Sequence, residues 1–253
     1  VDCVIDEIHA NYPNLDIPYH SRWRHFEGPG LHRVADFQQG IAALPLLEQL
    51  QAAIDLVVIS VLLDAGAGPK WSYVEPKSQV VFARSEGLGI ASFHMYVAGL
   101  FSSNKERSLA GHNERLAKLS ADDLARGFQV RSQNPMTGLE GRAQLLINLG
   151  SHLKQLGFAR VSDPFMKLAS FSSINAHSIL EVLLDDFSGI WPGRISLQGK
   201  NLGDTWVYDL MHGREESDKL IPFHKLSQWL TYSLAETFNM FGVSVSNIQA
   251  LTG

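Results

Sequence analysis

The chain has 253 residues, 45% of them hydrophobic and 19% charged, and its net charge is −5 at neutral pH. This composition and length are typical of a globular protein with a sizeable core. The negative net charge gives no global reason to expect binding to nucleic acid or to an anionic membrane. The single cysteine, Cys3, excludes a disulfide framework and any metal site built from several cysteines. We therefore expect a protein of a reducing, cytoplasmic environment.

The apolar runs and the chain ends predict one domain cut from a longer protein. The most apolar run, Ile54–Leu63, is far shorter than the roughly 18 to 20 residues that span a bilayer, and it suits a buried helix or strand. The first residues are amphipathic and acidic, unlike a signal peptide. Because the chain begins without methionine and stops at Gly253 with no tail, we expect residues 1–253 to be a single globular domain and an excerpt.

Periodic apolar residues predict a series of helices along the chain. Ser120 and Asn175 are expected N-caps, and Gly157 is an expected C-cap. The small residues of the predicted helix Glu86–Phe101 favour close packing against a neighbour. The predicted helices are Leu44–Asp64, Glu86–Phe101, Ser120–Val130, Gly138–Gly157, Ile174–Phe187 and Phe223 to about Phe241.

Aromatic and β-branched stretches predict two β-hairpins. The first, within Trp71–Ser85, turns at a Pro-Lys-Ser-Gln sequence, and the second, Gly193–Tyr208, turns at Gln198–Asn201. The hairpins do not alternate with the helices as βαβ units would. We therefore expect a mainly helical α+β domain.

Tryptophans stand in short blocks that also contain charge, glycine and proline: Trp23, Trp71, Trp191, Trp206 and Trp229. Aromatic rings beside mixed charge can wall a polar ligand pocket. For any single tryptophan a core anchor is the commoner role. Trp23, Trp206 and Trp229 are the substrate-binding candidates among them.

The segment His20–Phe26 contains the densest cationic cluster of the chain. With aromatic neighbours, His20, Arg22, Arg24 and His25 suit a phosphate or a carboxylate. The alternative is a surface loop that forms a salt bridge with Glu27.

Further charged positions have unusual neighbours. Asp64 stands where an apolar helix meets Ala-Gly-Ala-Gly, so it either caps backbone N–H groups or faces a pocket with unhindered backbone around it. Arg84 and Glu86 either pair with each other or belong to a site. Asp204, on the same strand face as Trp206, is either a turn residue or a site residue.

The last predicted helix carries a cation at an unfavourable place. Its buried stripe is expected to comprise Phe223, Leu226, Leu230 and Leu234. His224 and Lys225 occupy its first turn, where a lysine is unfavourable with the helix dipole unless an anionic group compensates. This position indicates an anionic partner for Lys225, and the alternative is an ordinary surface lysine.

Common cofactor and catalytic motifs do not occur in the sequence. Gly87–Ser92 resembles a dinucleotide fingerprint, but Ser92 replaces its third glycine and no parallel βαβ unit follows. The chain has no Gly-x-Ser-x-Gly elbow and no His-Glu-x-x-His sequence. We expect neither a cofactor nor a metal.

Eight blocks, taken in order, resemble the uracil-catabolism protein four family of fungi and bacteria, long classed as a domain of unknown function. The blocks are Tyr12–Glu27, Ser60–Glu75, Phe82–Phe93, Gly99–Ser103, Leu124–Leu146, Ile179–Arg194, Asn201–Trp206 and Ile221–Leu234. The resemblance runs from about Tyr12 to Gly253. Family members carry a further N-terminal helical stretch and continue past Gly253 with a Pro-Glu-Tyr-Arg segment, as the expected excerpt requires.

The last helix is also distantly similar to the queuosine-salvage nucleotide N-glycosylases, helical proteins reminiscent of DNA glycosylases. In that family the counterpart of Lys225 lies in the active site, with an acidic residue of the segment that would follow Gly253. The similarity therefore implies a helical fold, a small nucleotide-derived substrate and cleavage of an N-glycosidic bond.

Together the resemblances imply an enzyme of uracil catabolism that hydrolyses a ribosyl-urea or a related compound. Asp64, Asp204 or the acid beyond Gly253 would stabilise an oxocarbenium-like sugar and orient water. Lys225, His224 and the arginines of the cationic cluster would hold a 5′-phosphate or assist the leaving group.

The resemblances leave two alternatives open. One is a ring-opening or amide hydrolase of the same pathway, and the other is a non-catalytic partner of the pathway's ring-opening enzyme. Either enzyme predicts that Lys225, Asp64 and the arginines line one closed pocket, whereas a non-catalytic partner predicts an exposed apolar patch.

Overall fold

A computed structural model describes residues 2–14, 19–106, 108–191, 195–213 and 215–251. Within these residues the chain is mainly helical with small two-stranded sheets, which confirms the expected fold class. The α-helices there are α1 (Asp2–Asn11), α2 (Arg22–Phe26), α3 (Arg33–Ile41), α4 (Leu46–Leu62), α5 (Arg84–Val97), α6 (Asn113–Leu116), α7 (Ala121–Gly127), α8 (Leu139–Leu156), α9 (Ala176–Asp186) and α10 (Lys225–Met240). Short 3₁₀ helices cover Asp163–Phe165, Leu168–Ser170, Ser188–Ile190, Glu216–Lys219 and Ile248–Ala250.

The strands pair two by two rather than in one sheet. The antiparallel pairs are β1 (Tyr73–Val74) with β2 (Val81–Phe82), β4 (Ser196–Leu197) with β5 (Lys200–Asn201), and β6 (Thr205–Val207) with β7 (Leu220–Pro222), and the parallel pair is β3 (Ser173–Asn175) with β8 (Ser244–Ser246). The β1–β2 pair confirms the first predicted hairpin.

The second predicted hairpin is partly wrong. Its turn does connect β4 to β5, and Gln198 and Gly199 both take the positive φ that a tight two-residue turn requires. The following strand, β6, pairs with β7 further along the chain instead, because turn residues mark a reversal but do not specify the next pairing. Residues 192–194, which include the start of this predicted hairpin, lie outside the described residues.

The predicted helices after residue 43 all form, with ends shifted by a few residues. Ser120 and Asp123 form a capping box at the start of α7. The Asn175 side chain accepts from the His177 N–H at the start of α9, and Gly157 ends α8 with a φ of 83°. The expected caps are therefore confirmed.

Three helices, α1 to α3, form before residue 43, where no helix is predicted. The important one is α2, which lies within the cationic segment and starts with Ser21 accepting from the Trp23 N–H. Because it has only five residues, it shows no apolar period. The surface-loop alternative for this segment is wrong, since Arg22, Trp23 and Phe26 are buried and Glu27 instead accepts from the Val34 N–H.

Helix α4 forms the centre of the core. Every residue from Ala52 to Leu62 is buried, so the helix is surrounded by protein on all sides. Its neighbours include α2, α5, α8 and α10. Asp55, a buried carboxylate within it, accepts from Arg160 and from the backbone N–H groups of Gly111 and Ser162, which satisfies its charge. Among the described helices, none combines the length and the hydropathy that a membrane crossing requires.

The start of α10 differs from the predicted helix. Phe223 precedes the helix and is 57% exposed, so its place in the predicted buried stripe is wrong, whereas Leu230 and Leu234 are buried. His224 is the N-cap residue with a φ of 46° and makes no side-chain cap. Lys225 is therefore the first residue of the helix.

Candidate functional site

A buried ion pair joins two segments singled out by their sequences. The Nη1 atom of Arg22, in α2, lies 2.6 Å from Oδ2 of Asp64, just after α4. The Ser85 hydroxyl donates to both oxygens of the same carboxylate, at 3.0 and 2.9 Å. Arg22 is fully buried, and 7% of the Asp64 side chain is exposed. The carboxylate therefore accepts from side chains in a nearly dry environment rather than from the backbone N–H groups of a cap.

The remaining donors of Arg22 also find protein acceptors. Its Nε donates to Ser60 Oγ at 2.6 Å, and Nη2 donates to the Ser60 carbonyl at 3.1 Å. Burial lowers the pKa of Arg22 to about 10, with Asp64 opposing the shift. The guanidinium stays charged at neutral pH, and its contacts hold Asp64 in place rather than reaching out to a ligand.

A second buried arginine fixes the loop that carries Asp64. Arg142, in α8, donates to the carbonyls of Leu63 and Ala65 at 2.9 and 2.6 Å, and to the carbonyl of Thr137 at 2.5 Å. Burial lowers the pKa of Arg142, with the charge of Asp64 opposing that shift. Because the carbonyls on both sides of Asp64 are held by one rigid side chain, its position is preorganised.

His25 is part of the same cluster and is held neutral. Its Nδ1 lies 3.0 Å from Arg22 Nη1. A guanidinium only donates, so Nδ1 accepts and the ring proton is on Nε2. Burial, and after it the charges of Arg22 and His20, lower the pKa of His25 to about 4, against the carboxylates of Asp64 and Glu86.

Aromatic rings lie against this cluster. The His20 ring stacks on Trp229 of α10, with centroids 5.6 Å apart and planes 14° apart, and the rings of His25 and Trp229 are 5.8 Å apart. The guanidinium of Arg22 lies 5.5 Å from the Trp229 ring centroid. Trp229 Nε1 is buried and donates to no group among the described residues.

Lys225 begins the helix face that carries Trp229. The two residues are four positions apart on α10, so their side chains lie one above the other. The Lys225 side chain is exposed, and its backbone N–H lies 3.2 Å from Oδ2 of Asp204. The structure thus brings Asp64, Arg22, His20 and Trp229 together, and Lys225 lies one turn before Trp229 on α10.

Asp204 belongs to a different group, at the junction of β6 with α10. Its carboxylate accepts from Trp206 Nε1 at 2.9 Å as well as from the Lys225 N–H, and its carbonyl accepts from the N–H groups of Phe223 and His224. Because His224 provides no side-chain cap, Asp204 caps the helix from outside. Asp204 and Asp64 therefore do not share one cluster of hydrogen bonds.

A cavity of about 620 Å³ adjoins Asp204. Trp191, His224, Leu226 and Ser227 contribute to its walls, with leucines of α9 and of the small sheets. Burial lowers the pKa of His224, with Asp204 opposing the shift. Ser227 points to the opposite side of α10 from Lys225 and Trp229, and none of the described residues that line this cavity belongs to the Arg22–Asp64 cluster.

The remaining candidates take peripheral or structural positions. Trp23 is 3% exposed and donates from Nε1 to Thr237, so it anchors the core. Arg24 is exposed and lies 3.6 Å from Glu236. Arg84 and Glu86 are exposed at the start of α5, and no ion pair joins them in the part of the chain that the structure describes.

The cluster also contains residues that sequence reasoning missed. Ser60 and Arg142 lie within helices with no local signal for a site, because their partners are distant in the chain. Ser85 stands between Arg84 and Glu86. The charged sequence therefore marks the correct segment, but it indicates the two residues that flank Ser85 instead of Ser85 itself. No group of three or more His, Cys, Asp or Glu side chains suited to a metal occurs among the described residues.

Comparisons with known proteins match the whole chain. A model of the family described as "Protein of unknown function (DUF1688)" matches residues 1–253. The chain is 38% identical over 264 residues to "Protein urg3" of Schizosaccharomyces pombe, which covers 100% of this chain and 63% of that protein. It is 34% identical over 259 residues to "Uracil catabolism protein 4" of Lachancea kluyveri, which covers 94% of this chain and 59% of that protein. The chain thus spans about three fifths of the length of these curated relatives.

Proposed function

The chain belongs to the family described as Protein of unknown function (DUF1688), and from that premise we propose that it acts in uracil catabolism. The relative named Uracil catabolism protein 4 supports this assignment at 34% identity. The reaction we propose is hydrolysis of the N-glycosidic bond of a ribosyl-urea or a related nucleotide-derived compound. The observation that carries the proposal is the Asp64 carboxylate, held by buried Arg22 beside the rings of His25 and Trp229.

Breaking the bond between C1′ and nitrogen leaves positive charge on the sugar. A fixed carboxylate stabilises an oxocarbenium-like transition state, because its negative charge is already in place when the positive charge develops. Asp64 is the candidate for this role, since Arg22, Ser85 and Arg142 prevent it from moving away. Water then bonds to C1′, and the leaving nitrogen takes its electron pair and gains a proton.

Cations at the rim of the cluster suit an anionic part of the substrate. Lys225 and Arg84 are exposed, unlike Arg22, whose contacts are with protein groups. A 5′-phosphate that meets them at the rim leaves the sugar free to approach Asp64. In this proposal Asp204 is a positioning residue, because it caps the helix that carries Lys225.

The test is urea release from ribosyl-urea 5′-phosphate by the full-length protein. Asp64→Asn keeps an oxygen for Arg22 but removes the negative charge, so we expect kcat to fall by about 10²- to 10³-fold. Asp122→Asn, at an exposed position in the first turn of α7, is the matched control and should retain wild-type activity. A circular dichroism melt of each variant establishes that the folded protein is compared.

Wild-type protein that releases no urea, or an Asp64→Asn variant as active as wild type, contradicts the proposal. The surface of the β6–β7 pair is then the feature to follow, because it exposes large apolar side chains: Trp206, Val207, Tyr208, Leu210 and Phe223. Such a patch is the property expected of the alternative, a non-catalytic partner in the pathway.

A further inference from the structure

Two nitrogen donors in the Arg22–Asp64 cluster have no acceptor in the part of the chain that the structure describes. Trp229 Nε1 is buried and lacks a partner among the described residues. His25 is 8% exposed, and within the same residues its hydrogen bond is the one between Nδ1 and Arg22, so Nε2 is also unpaired. A buried donor without an acceptor costs about 1 to 3 kcal/mol. Trp229 Nε1 is such a donor. The neighbouring His25 Nε2 is a second N–H without an acceptor in these residues, so the pair indicates a place where an acceptor from outside the protein binds.

Both nitrogen atoms are donors of fixed identity. The indole N–H of Trp229 is a donor by its chemistry. The Nε2 atom of His25 carries the proton because Arg22 donates to Nδ1 at 3.0 Å. The two rings are 5.8 Å apart, close enough for one small group to contact both.

The donors are neutral and lie beside a negative charge. Arg22, the nearest cation, has its contacts with Ser60, Asp64 and His25. A phosphate here would gain little from two neutral donors and would be repelled by the Asp64 carboxylate. A neutral carbonyl oxygen gains both hydrogen bonds without that repulsion.

We infer that His25 and Trp229 form a subsite for the carbonyl oxygen of the substrate's ureido group, an inference that rests on the proposed function. When the bond between C1′ and nitrogen breaks, its electron pair goes to the nitrogen and is delocalised onto the carbonyl oxygen. Donors at that oxygen stabilise the charge that develops there. The nitrogen afterwards takes a proton from the attacking water, and neutral urea leaves.

The direct test observes the Trp229 indole N–H by NMR in full-length protein labelled with ¹⁵N-tryptophan. Trp229→Phe identifies the signal by its loss. N-methylurea carries the carbonyl without sugar or phosphate, and ribose 5-phosphate carries the phosphate without the carbonyl. We expect N-methylurea to move the Trp229 signal and ribose 5-phosphate to leave it in place. A shift with ribose 5-phosphate alone, or no shift with either probe, overturns the inference.

Kinetics provide a second test. Trp229→Phe keeps an aromatic ring but removes the donor, so kcat/KM for ribosyl-urea 5′-phosphate should fall about 10- to 100-fold. Inhibition by ribose 5-phosphate, which has no carbonyl, should keep its wild-type constant. If the substitution weakens substrate turnover and ribose 5-phosphate binding by the same factor, Trp229 provides a structural contact, and the inference is then wrong.

Trp71→Phe is the matched control, because Trp71 Nε1 already donates to the Phe128 carbonyl in the core. This variant should keep the wild-type kcat/KM in the folded protein. Failure of the proposed reaction and failure of the subsite are distinguishable. If the wild-type protein releases no urea, the proposed reaction is wrong. The NMR response to N-methylurea tests the subsite independently of that result.

Discussion

At the scale of single residues, burial divides the cations of this chain into two groups. Arg22, Arg33 and Arg142 are buried, and each donates to protein oxygens. Lys225 and Arg84 are exposed. A buried guanidinium is costly unless its donors are satisfied, so the first group holds segments together and the second group is free to meet a ligand.

The sequence predicts the members of the site better than their roles. The density of charge in residues 20–26 draws attention to Arg22, but its partner Asp64 lies 42 positions away. No local pattern shows such a contact, so Arg22 is assigned to the ligand when it belongs to the scaffold. The exposed Lys225 and the half-buried Trp229 share a helix face that periodicity does predict.

The titration of His25 predicts a loss of stability in mild acid. Its pKa is about 4 in the folded protein against an ordinary value of 6.5. Between these values the unfolded chain binds a proton at residue 25 that the folded chain does not, so the free energy of unfolding falls as pH falls. Its share is on the order of 2 kcal/mol, less than the full shift because water reaches one edge of the ring.

The measurement is denaturant unfolding of wild type and His25→Asn between pH 7 and pH 4. Asn offers Arg22 an acceptor and does not titrate, so the variant should lose less stability over this interval. His112 and His224 also have lowered pKa values through burial, and the difference between the two proteins removes their contribution. If the free energy of unfolding of the two proteins has the same dependence on pH, the loss of stability does not come from His25.

At the scale of elements, α2 lies against α5 at a position where glycine allows a close approach. A Cβ atom on Gly89 would lie 3.0 Å from the Cβ of His25 and 3.4 Å from the Cζ of Arg22. The predicted close packing of this helix is therefore confirmed. The contact sets the distance between α5, which carries Ser85, and the two site residues of α2.

Gly89→Ala should displace α2 and so lower both stability and urea release. Overpacking of this kind costs about 1 to 3 kcal/mol. Gly141→Ala is the control, because a Cβ on Gly141 in α8 meets no atom within 4 Å, and it should stabilise the protein by roughly 0.5 kcal/mol. Thermal unfolding and the urea assay measure both variants. If the two substitutions change stability and urea release equally, the close approach of α2 to α5 does not matter for either property.

The cap supplied by Asp204 gives a second prediction at this scale. Asp204→Ala removes the acceptor of the Lys225 N–H and of Trp206 Nε1, so the free energy of unfolding should fall by about 1 to 2 kcal/mol. If Asp204 only positions α10, kcat should stay within about 10-fold of wild type at temperatures where the variant is folded. A loss as large as that of Asp64→Asn would instead assign Asp204 a direct catalytic role.

The sequence predicts the long helices with a clear apolar periodicity better than it predicts the short elements. The helices α4 and α8 have 17 and 18 residues with clear caps or apolar periods, and the sequence predicts both. The five residues of α2 bury four side chains through tertiary contacts alone. The pairing of β6 with β7 depends on segments that a local turn pattern does not connect.

At the scale of the whole molecule, stability is concentrated in one place. Helix α4 is buried throughout its second half and contacts α2, α5, α8 and α10. The β4–β5 and β6–β7 pairs are two-stranded and short, and all of their residues except Thr205 are exposed or half-buried. Short exposed strand pairs of this type open locally, and their opening costs a small fraction of the global free energy of unfolding.

Native-state hydrogen exchange should therefore separate the two regions. Amides in the centre of α4 should exchange only through global unfolding, which costs on the order of 5 to 15 kcal/mol. Amides of β6 and β7 should exchange at least about 100-fold faster. Mass spectrometry of peptic fragments measures both, and equal protection would show that the hairpin folds as part of the core.

The register of the β6–β7 ladder has an evolutionary consequence. Thr205 pairs with Pro222, so the next residue outward, Asp204, lies at the start of α10 and contacts the Lys225 N–H. A shift of the ladder by two residues keeps every side chain on its own face of the pair, but it presents a different residue to that helix start. Insertions between the strands thus provide a route by which descendants of this protein alter the group beside Lys225 while the Arg22–Asp64 cluster stays unchanged.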